Sequence, residues 1–197
     1  MLILNLNPLS FPQPLLLDIG SGEGRVESNL GEFTTVDAFT KADIVATMWE
    51  IPLPDGSVSG IYSSNALEHI SKFDVIPTIR EWHRLLKVGG MLYLTVPDLE
   101  WAVKFWLELK DTTEATGWPL DIIFGNQKHM GEFHKTGFTP RILWDYFCVA
   151  NPAGWYVHKL EVDDGRVERL QLDENTVKWD NIRQGLINLQ AEKTDVE

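Results

Sequence analysis

Two hydrophobic rhythms alternate along this chain: short unbroken apolar runs, and stretches with apolar residues three and four positions apart. The first rhythm marks strands buried on both faces of a sheet, and the second marks amphipathic helices. Leu15-Leu16-Leu17-Asp18-Ile19 opens the series and runs into a glycine cluster. Phe33-Thr34-Thr35-Val36-Asp37 and Asp43-Ile44-Val45-Ala46-Thr47 follow as second and third strands, rich in β-branched residues. Val58 to Ser63 is a fourth. Met91-Leu92-Tyr93-Leu94-Thr95-Val96 is the clearest strand of all.

Between these runs the period lengthens. Arg25 to Leu30 has room for only a short helix before Gly31 stops it. Phe73 to Lys87 sets Ile76, Ile79, Trp82 and Leu86 at helical spacing, with Gly89-Gly90 as the stop. Asp98 is a good N-cap for a helix to about Lys110, and Thr139-Pro140 starts another that runs to about Ala150. From Asp111 to Gly137 periodicity fails, so residues 111–137 are expected to be a long functional loop on the substrate side. Trp155–Val162 and Arg166–Leu172 read as a hairpin around Asp163-Asp164-Gly165. Residues 1–14, with Pro8, Pro12 and Pro14, form an irregular lead-in, and residues 176–197 a polar C-terminal segment with room for a terminal helix.

This succession implies an α/β fold: a doubly wound, mostly parallel sheet with helices on both faces and one antiparallel strand from the C-terminal hairpin. Residues 15–175 are expected to form one domain. Ligands in such sheets sit at the carboxyl ends of the strands, near the switch in strand order.

Composition narrows the partners. The formal net charge is -12 over 197 residues, with no Lys/Arg-rich run. Nucleic acids and anionic membranes are bound mainly by neutralising phosphates, so neither is expected as a partner. Cys148 stands alone, which rules out an internal disulfide and a cysteine-based metal site and leaves a small buried hydrophobe as its expected role. Eight Trp are expected in the core or in pocket walls. No secretory leader is read at the N-terminus and no stretch reaches the ~18 apolar residues of a membrane span, so a reducing, cytoplasmic setting is expected.

The chemistry gathers at the strand ends. Gly20, Gly22 and Gly24 in Asp18-Ile19-Gly20-Ser21-Gly22-Glu23-Gly24 let the backbone turn sharply and approach a ligand closely. The dinucleotide pattern G-x-G-x-x-G fails, because its third glycine would fall on Arg25, where close packing needs a tiny residue. An NAD-dependent oxidoreductase is thereby set back. The phosphate-cradling G-x-x-x-x-G-K pattern is also missing. Asp37 closes the second strand 19 positions after Asp18 (37 − 18), where a carboxylate can accept two hydrogen bonds from ribose hydroxyls.

In order, the chain carries Asp18-Ile-Gly-Ser-Gly-Glu-Gly24, Val36-Asp37, Ile51-Pro-Leu-Pro-Asp-Gly-Ser57, Ser64-Asn-Ala-Leu-Glu-His69 and Glu81-Trp-His-Arg-Leu-Leu-Lys-Val-Gly-Gly90. Over about residues 15 to 98 it resembles the class I methyltransferases that use S-adenosylmethionine (SAM), in particular the small group with an "LPFPD…LEH…LKPGG" style of sequence. Farther on, Phe133-His-Lys-Thr-Gly-Phe-Thr139 looks like a segment of methyltransferases from carbohydrate-biosynthesis gene clusters. The resemblance implies a Rossmann-like, seven-stranded sheet and SAM as methyl donor. It implies that Asp18, Gly20, Ser21, Gly22 and Gly24 hold the methionine part of SAM, and Asp37 its ribose. Thr47, Met48 and Trp49 would flank adenine, and Asn65 would lie beside the sulfonium. In two places the chain departs from the pattern. Thr47 stands where the family often has an acid, and the first helix is about one turn shorter than usual.

For a hydroxyl acceptor a general base adds roughly 10²–10⁴-fold. Of the five histidines, His83 and His158 are expected to be structural or surface residues. His134, in the long connection, is the preferred base, with His69, after the fourth strand, as second candidate. His129, Glu132 and His134 lie within six positions, but no further ligand pattern accompanies them and no metal is expected there. Trp101, Phe105 and Trp106 share helical spacing and are expected in the core. The expected activity is methyl transfer to a small acceptor such as a sugar or metabolite hydroxyl, with a non-catalytic SAM-binding regulatory or assembly domain as the alternative.

Overall fold

The computed structural model of the chain describes residues 10–24, 26, 30–151, 154–163 and 185–195. Its strands are β1 (Leu16–Ile19), β2 (Phe33–Asp37), β3 (Ile44–Val45), β4 (Val58–Ser64), β5 (Leu86–Pro97), β6 (Trp155–Asp163) and β7 (Leu186–Lys193). The helices are α1 (Lys72–Leu85), α2 (Leu99–Leu109), α3 (Trp118–Phe124) and α4 (Pro140–Ala150). The strands form one seven-stranded sheet in the order β3-β2-β1-β4-β5-β7-β6. Pairings are parallel from β3 through β5, and β7 runs antiparallel to both β5 and β6. This is the Rossmann-like, doubly wound sheet with one antiparallel strand. The strand order reverses between β1 and β4, so their carboxyl ends frame the crevice.

Alternation along the strands assigns the two faces. Leu15, Leu17 and Ile61 join Val75, Ile79, Trp82 and Leu85 of α1 and Leu143 and Phe147 of α4 in the main core. Leu16, Phe33 and Tyr62 form a smaller cluster. Helix α1 packs beside α4, and α2 beside α3. The caps are as expected: Asp98 accepts from the Glu100 N–H (2.9 Å) and Thr139 from the Ile142 N–H (3.2 Å).

Several expectations are corrected. The antiparallel strand comes from residues 186–193, in the segment read as polar with a terminal helix, because Ile187, Leu189 and Ala191 alternate into the core. The hairpin partner read at 166–172 and its turn at 164–165 lie outside the described residues, as does most of the short helix at 25–30. Helix α1 ends at Leu85, before Gly89-Gly90: Leu86 turns extended and starts β5 opposite Val58. The 111–137 connection is structured, with 3₁₀ turns at Thr113–Thr116 and Met130–Glu132 flanking α3. In α2 only Ala102 is buried, so Trp101 and Phe105, stacked with centroids 4.9 Å apart, sit at the surface side of the core. Cys148 is half-buried, Trp144 is exposed, and Trp82 is fully buried.

Candidate active site

The turn after β1 is shaped by the protein before any ligand is considered. Gly20 has φ +76°, and a Cβ there would collide with the Cβ of Ala66 in the loop after β4. Its N–H donates to Val36 O of β2 (2.8 Å), which ties the turn to the neighbouring strand. Gly22 has φ +58° and nothing within 4 Å of its would-be Cβ, so its bare backbone is open to a ligand. Gly24 needs neither freedom: only Ser21 O, at 3.8 Å, would meet a Cβ there.

Asp37 is held tightly. Its Oδ1 accepts from the Phe39 and Thr40 N–H groups (2.7 and 2.9 Å), and its Oδ2 accepts from the Gly22 N–H (3.0 Å). A carboxylate oxygen takes about two donors, so one acceptor position on Oδ2 is left. Asp18, buried beneath the turn, has its carboxyl pushed up to about 7 by burial and then by the Asp37 charge. The carboxyl ends of β1 and β2 thus place two carboxyl groups close together, Asp18 buried and Asp37 at the turn.

A cleft of about 720 Å³ opens over these ends. Gly20, Gly22, Asp37, Thr47, Met48, Trp49, Asn65 and His69 all line it. Asp18, Ser21 and Gly24 do not: Asp18 is buried, and within the turn the Gly24 N–H donates to Ser21 O (3.3 Å). The segment that follows Thr47–Trp49 is clasped to α1. Arg84 donates to Leu53 O and Ile51 O and forks onto Glu81, whose Oε1 accepts from the Ile51 N–H. That clasp ties the Ile51–Ser57 and Glu81–Gly90 segments to each other. Asn65, at φ +48°, turns the chain sharply at the end of β4.

A second cleft, of about 440 Å³, meets the first at Asn65, His69 and Glu132, and its walls include Glu68, Ile122, Lys128 and His134. The segment Phe133–Thr136 is strapped across the β4 loop. Lys135 N–H and Thr136 N–H both donate to Glu68 O, Thr136 Oγ1 donates to Ile70 O, and His134 N–H donates to Phe124 O. This strap sets the His134 ring 4.8 Å from the His69 ring. Each ring uses Nδ1 against a backbone carbonyl, His69 on Phe133 O (3.3 Å) and His134 on Ile122 O (2.9 Å). Carbonyls only accept, so both Nδ1 atoms carry the hydrogen and both Nε2 atoms present lone pairs. Burial and then the His69 ring push His134 down to about 4, and burial lowers His69 as well.

Sequence reasoning passed over Glu68. It is 2% exposed, neither carboxylate oxygen has a hydrogen-bond partner, and burial pushes its carboxyl up to about 8. Its Oε1 lies 3.9 Å from His134 Nε2 and 4.0 Å from His69 Nε2. The one available signal was its place immediately before His69 after a strand. His129 stays apart, exposed at the rim and paired with Glu132 (3.1 Å). His83 and His158 serve structure, on Gly154 O and on Glu192 respectively.

Residues 17–94 match the methyltransferase domain family. No curated protein matches the chain in sequence. Among solved structures, it is similar to a SAM-dependent methyltransferase of Methanosarcina mazei (18% identity, TM-score 0.57, 97% of this chain on 99% of that one). A Thermotoga maritima SAM-dependent methyltransferase, titled a possible histamine N-methyltransferase, overlays at 17% identity and TM-score 0.56, with 92% of this chain on 83% of that one. The 1,6-didemethyltoxoflavin N1-methyltransferase of Burkholderia thailandensis overlays at 14% identity and TM-score 0.53, with 92% of this chain on 71% of that one. At such identities the overlays establish the fold. The methyltransferase domain matched over residues 17–94 is carried on that fold, and together the two support a methyltransferase enzyme.

Proposed function

We propose that SAM lies in the larger cleft and that its methyl group passes to a small acceptor, a sugar or metabolite hydroxyl, held in the smaller one. The observation that carries this reading is the junction of the two clefts at Asn65 and His69. Both volumes fall in the range of small-ligand pockets. None of the described tryptophans lines the second cleft, which leaves it open for a substrate. The Burkholderia relative, solved with a small heterocyclic substrate and S-adenosylhomocysteine, supports a small-molecule acceptor. The segment Phe133–Thr139, similar to carbohydrate-cluster methyltransferases, supports a sugar and forms the strap beside that cleft.

The residues present fit the cofactor. Gly22 offers open backbone, Asp37 Oδ2 keeps a position for a ribose hydroxyl, and Met48 and Trp49 supply apolar wall for adenine. Gly20, Ser21 and Gly24, with Asp18 beneath, shape the turn against the methionine end. When bound, SAM supplies a methyl group on a cationic sulfur, which an oxygen in line takes while the C–S bond breaks. The chain's own contribution is largely positioning, since aligned reactants avoid a large entropic cost. Asn65 stands where the two ligands would meet. His134 and His69 stand where the acceptor's proton must be handled. A free imidazole pushed down to about 4 is a weak base at neutral pH, so His134 needs help in that task.

Calorimetry with SAM and S-adenosylhomocysteine tests the reading, with micromolar-range binding expected, followed by a screen of sugar acceptors. Tight NADH binding with indifference to both sulfur compounds would overturn it.

A further inference from the structure

The buried carboxylate of Glu68 has two imidazoles beside it and no other ion-pair neighbour among the described residues. One of its oxygens and one ring nitrogen each of His69 and His134 lie within 4.8 Å of one another. Burying a carboxyl group without a hydrogen bond is costly, and proteins compensate it with a partner or a metal. Both imidazoles are locked as metal-binding histidines usually are. Nδ1–H is tied to a carbonyl, which fixes the ring and turns the Nε2 lone pair toward the third ligand. Glu132 Oε2, also buried without a hydrogen bond, lines the same cleft.

We propose that Glu68, His69 and His134 form a binding site for one divalent transition-metal ion of the zinc and iron class. Two imidazole nitrogens and one carboxylate oxygen suit such ions and disfavour magnesium and calcium, which take oxygen donors. Three protein ligands leave coordination positions free, and all three line the second cleft, so those positions open where an acceptor oxygen would sit. This last point rests on the proposed function. A metal there would itself lower the proton affinity of a bound hydroxyl, in place of a histidine base, because both Nε2 lone pairs would be taken up by the metal. The metal site itself stands on its own geometry.

The test is calorimetric titration of the chelator-treated, full-length protein with zinc chloride, with cobalt chloride as a spectroscopic probe. One equivalent is expected to bind, and Co²⁺ to develop visible ligand-field bands. Glu68→Gln, which keeps shape and volume, and His134→Ala should each weaken Zn²⁺ binding by at least about 100-fold, since losing even an outer-shell partner costs about 10–100-fold. His158→Ala, on the far strand pair, should leave it unchanged. Retained binding in Glu68→Gln, loss shared by His158→Ala, or no Zn²⁺ binding by folded wild-type protein would each refute the site. A SAM titration of the metal-free protein separates the two readings. SAM binding without Zn²⁺ binding removes the metal and leaves methyl transfer standing, and the reverse removes the donor assignment and leaves the metal.

Discussion

At the scale of single residues the site is a contest over a few acceptor atoms and one backbone angle. Asp37 spends three of its acceptor positions on backbone N–H groups, including that of Gly22. A second ribose bond therefore requires the Phe39 or Thr40 contact to yield. Asp37→Ala is expected to weaken SAM by about 1–3 kcal/mol in calorimetry, because ribose donors lose their partner. Gly20→Ala forces a side chain into a left-handed backbone, at about 1–2 kcal/mol, and into Ala66, so its melting temperature should fall clearly. Gly24→Ala meets only ordinary contact and should change stability by less than about 0.5 kcal/mol. The same motif thus holds glycines with different physical reasons. Asp18 gives a pH signature. Its folded pKa, about 7, lies above the unfolded value of 3.8, so between those limits the folded state holds the extra proton and stability falls as pH rises. Asp18→Asn should therefore gain on wild type by up to about 1.4 kcal/mol per pH unit across that window and hold a constant lead above it. Denaturant melts at pH 4 to 8 would show it, and a lead independent of pH would contradict the assignment.

At the scale of elements, local chemistry explains what was legible. The runs at 15–19, 33–37 and 91–96 are strands because continuous apolar stretches suit a sheet covered on both faces. The caps at Asp98 and Thr139 read correctly because a cap is a short-range hydrogen bond. The end of α1 did not, since glycines after a helix signal a stop, while here pairing with β4 from Leu86 ended it earlier. Strand β7 was hidden because Gln190 and Glu192 alternate with its apolar residues, so composition looked polar while the period of two was intact. The clasp of Arg84 on the Ile51–Asp55 segment is likewise a tertiary reason for a sequence motif. Arg84→Ala leaves Glu81 Oε2 and two carbonyls without their donor and should cost about 1–3 kcal/mol in chemical denaturation.

At the scale of the whole molecule, β7 is the strand that joins β6 to the rest of the sheet, pairing with β5 on one side and β6 on the other. A chain ending at residue 175 would lose it, bare the edge of β5 and uncover Leu92, Leu94 and Val96. Such a chain is expected to lose its cooperative melting transition, read by circular dichroism. The acidic balance of the chain remains a statement about partners, and among the described residues no helix is long and apolar enough to cross a membrane. By itself the sequence determined the strand and helix succession, the glycine turn and the acid at the tip of β2, because each depends on residues a few positions apart. Only the tertiary structure decided which strand closes the sheet and which histidine faces which carboxylate. Glu68 and His134 are 66 positions apart in sequence (134 − 68), and the strap that joins them is held by backbone N–H groups of His134, Lys135 and Thr136 together with the Thr136 hydroxyl. No local pattern records such a contact.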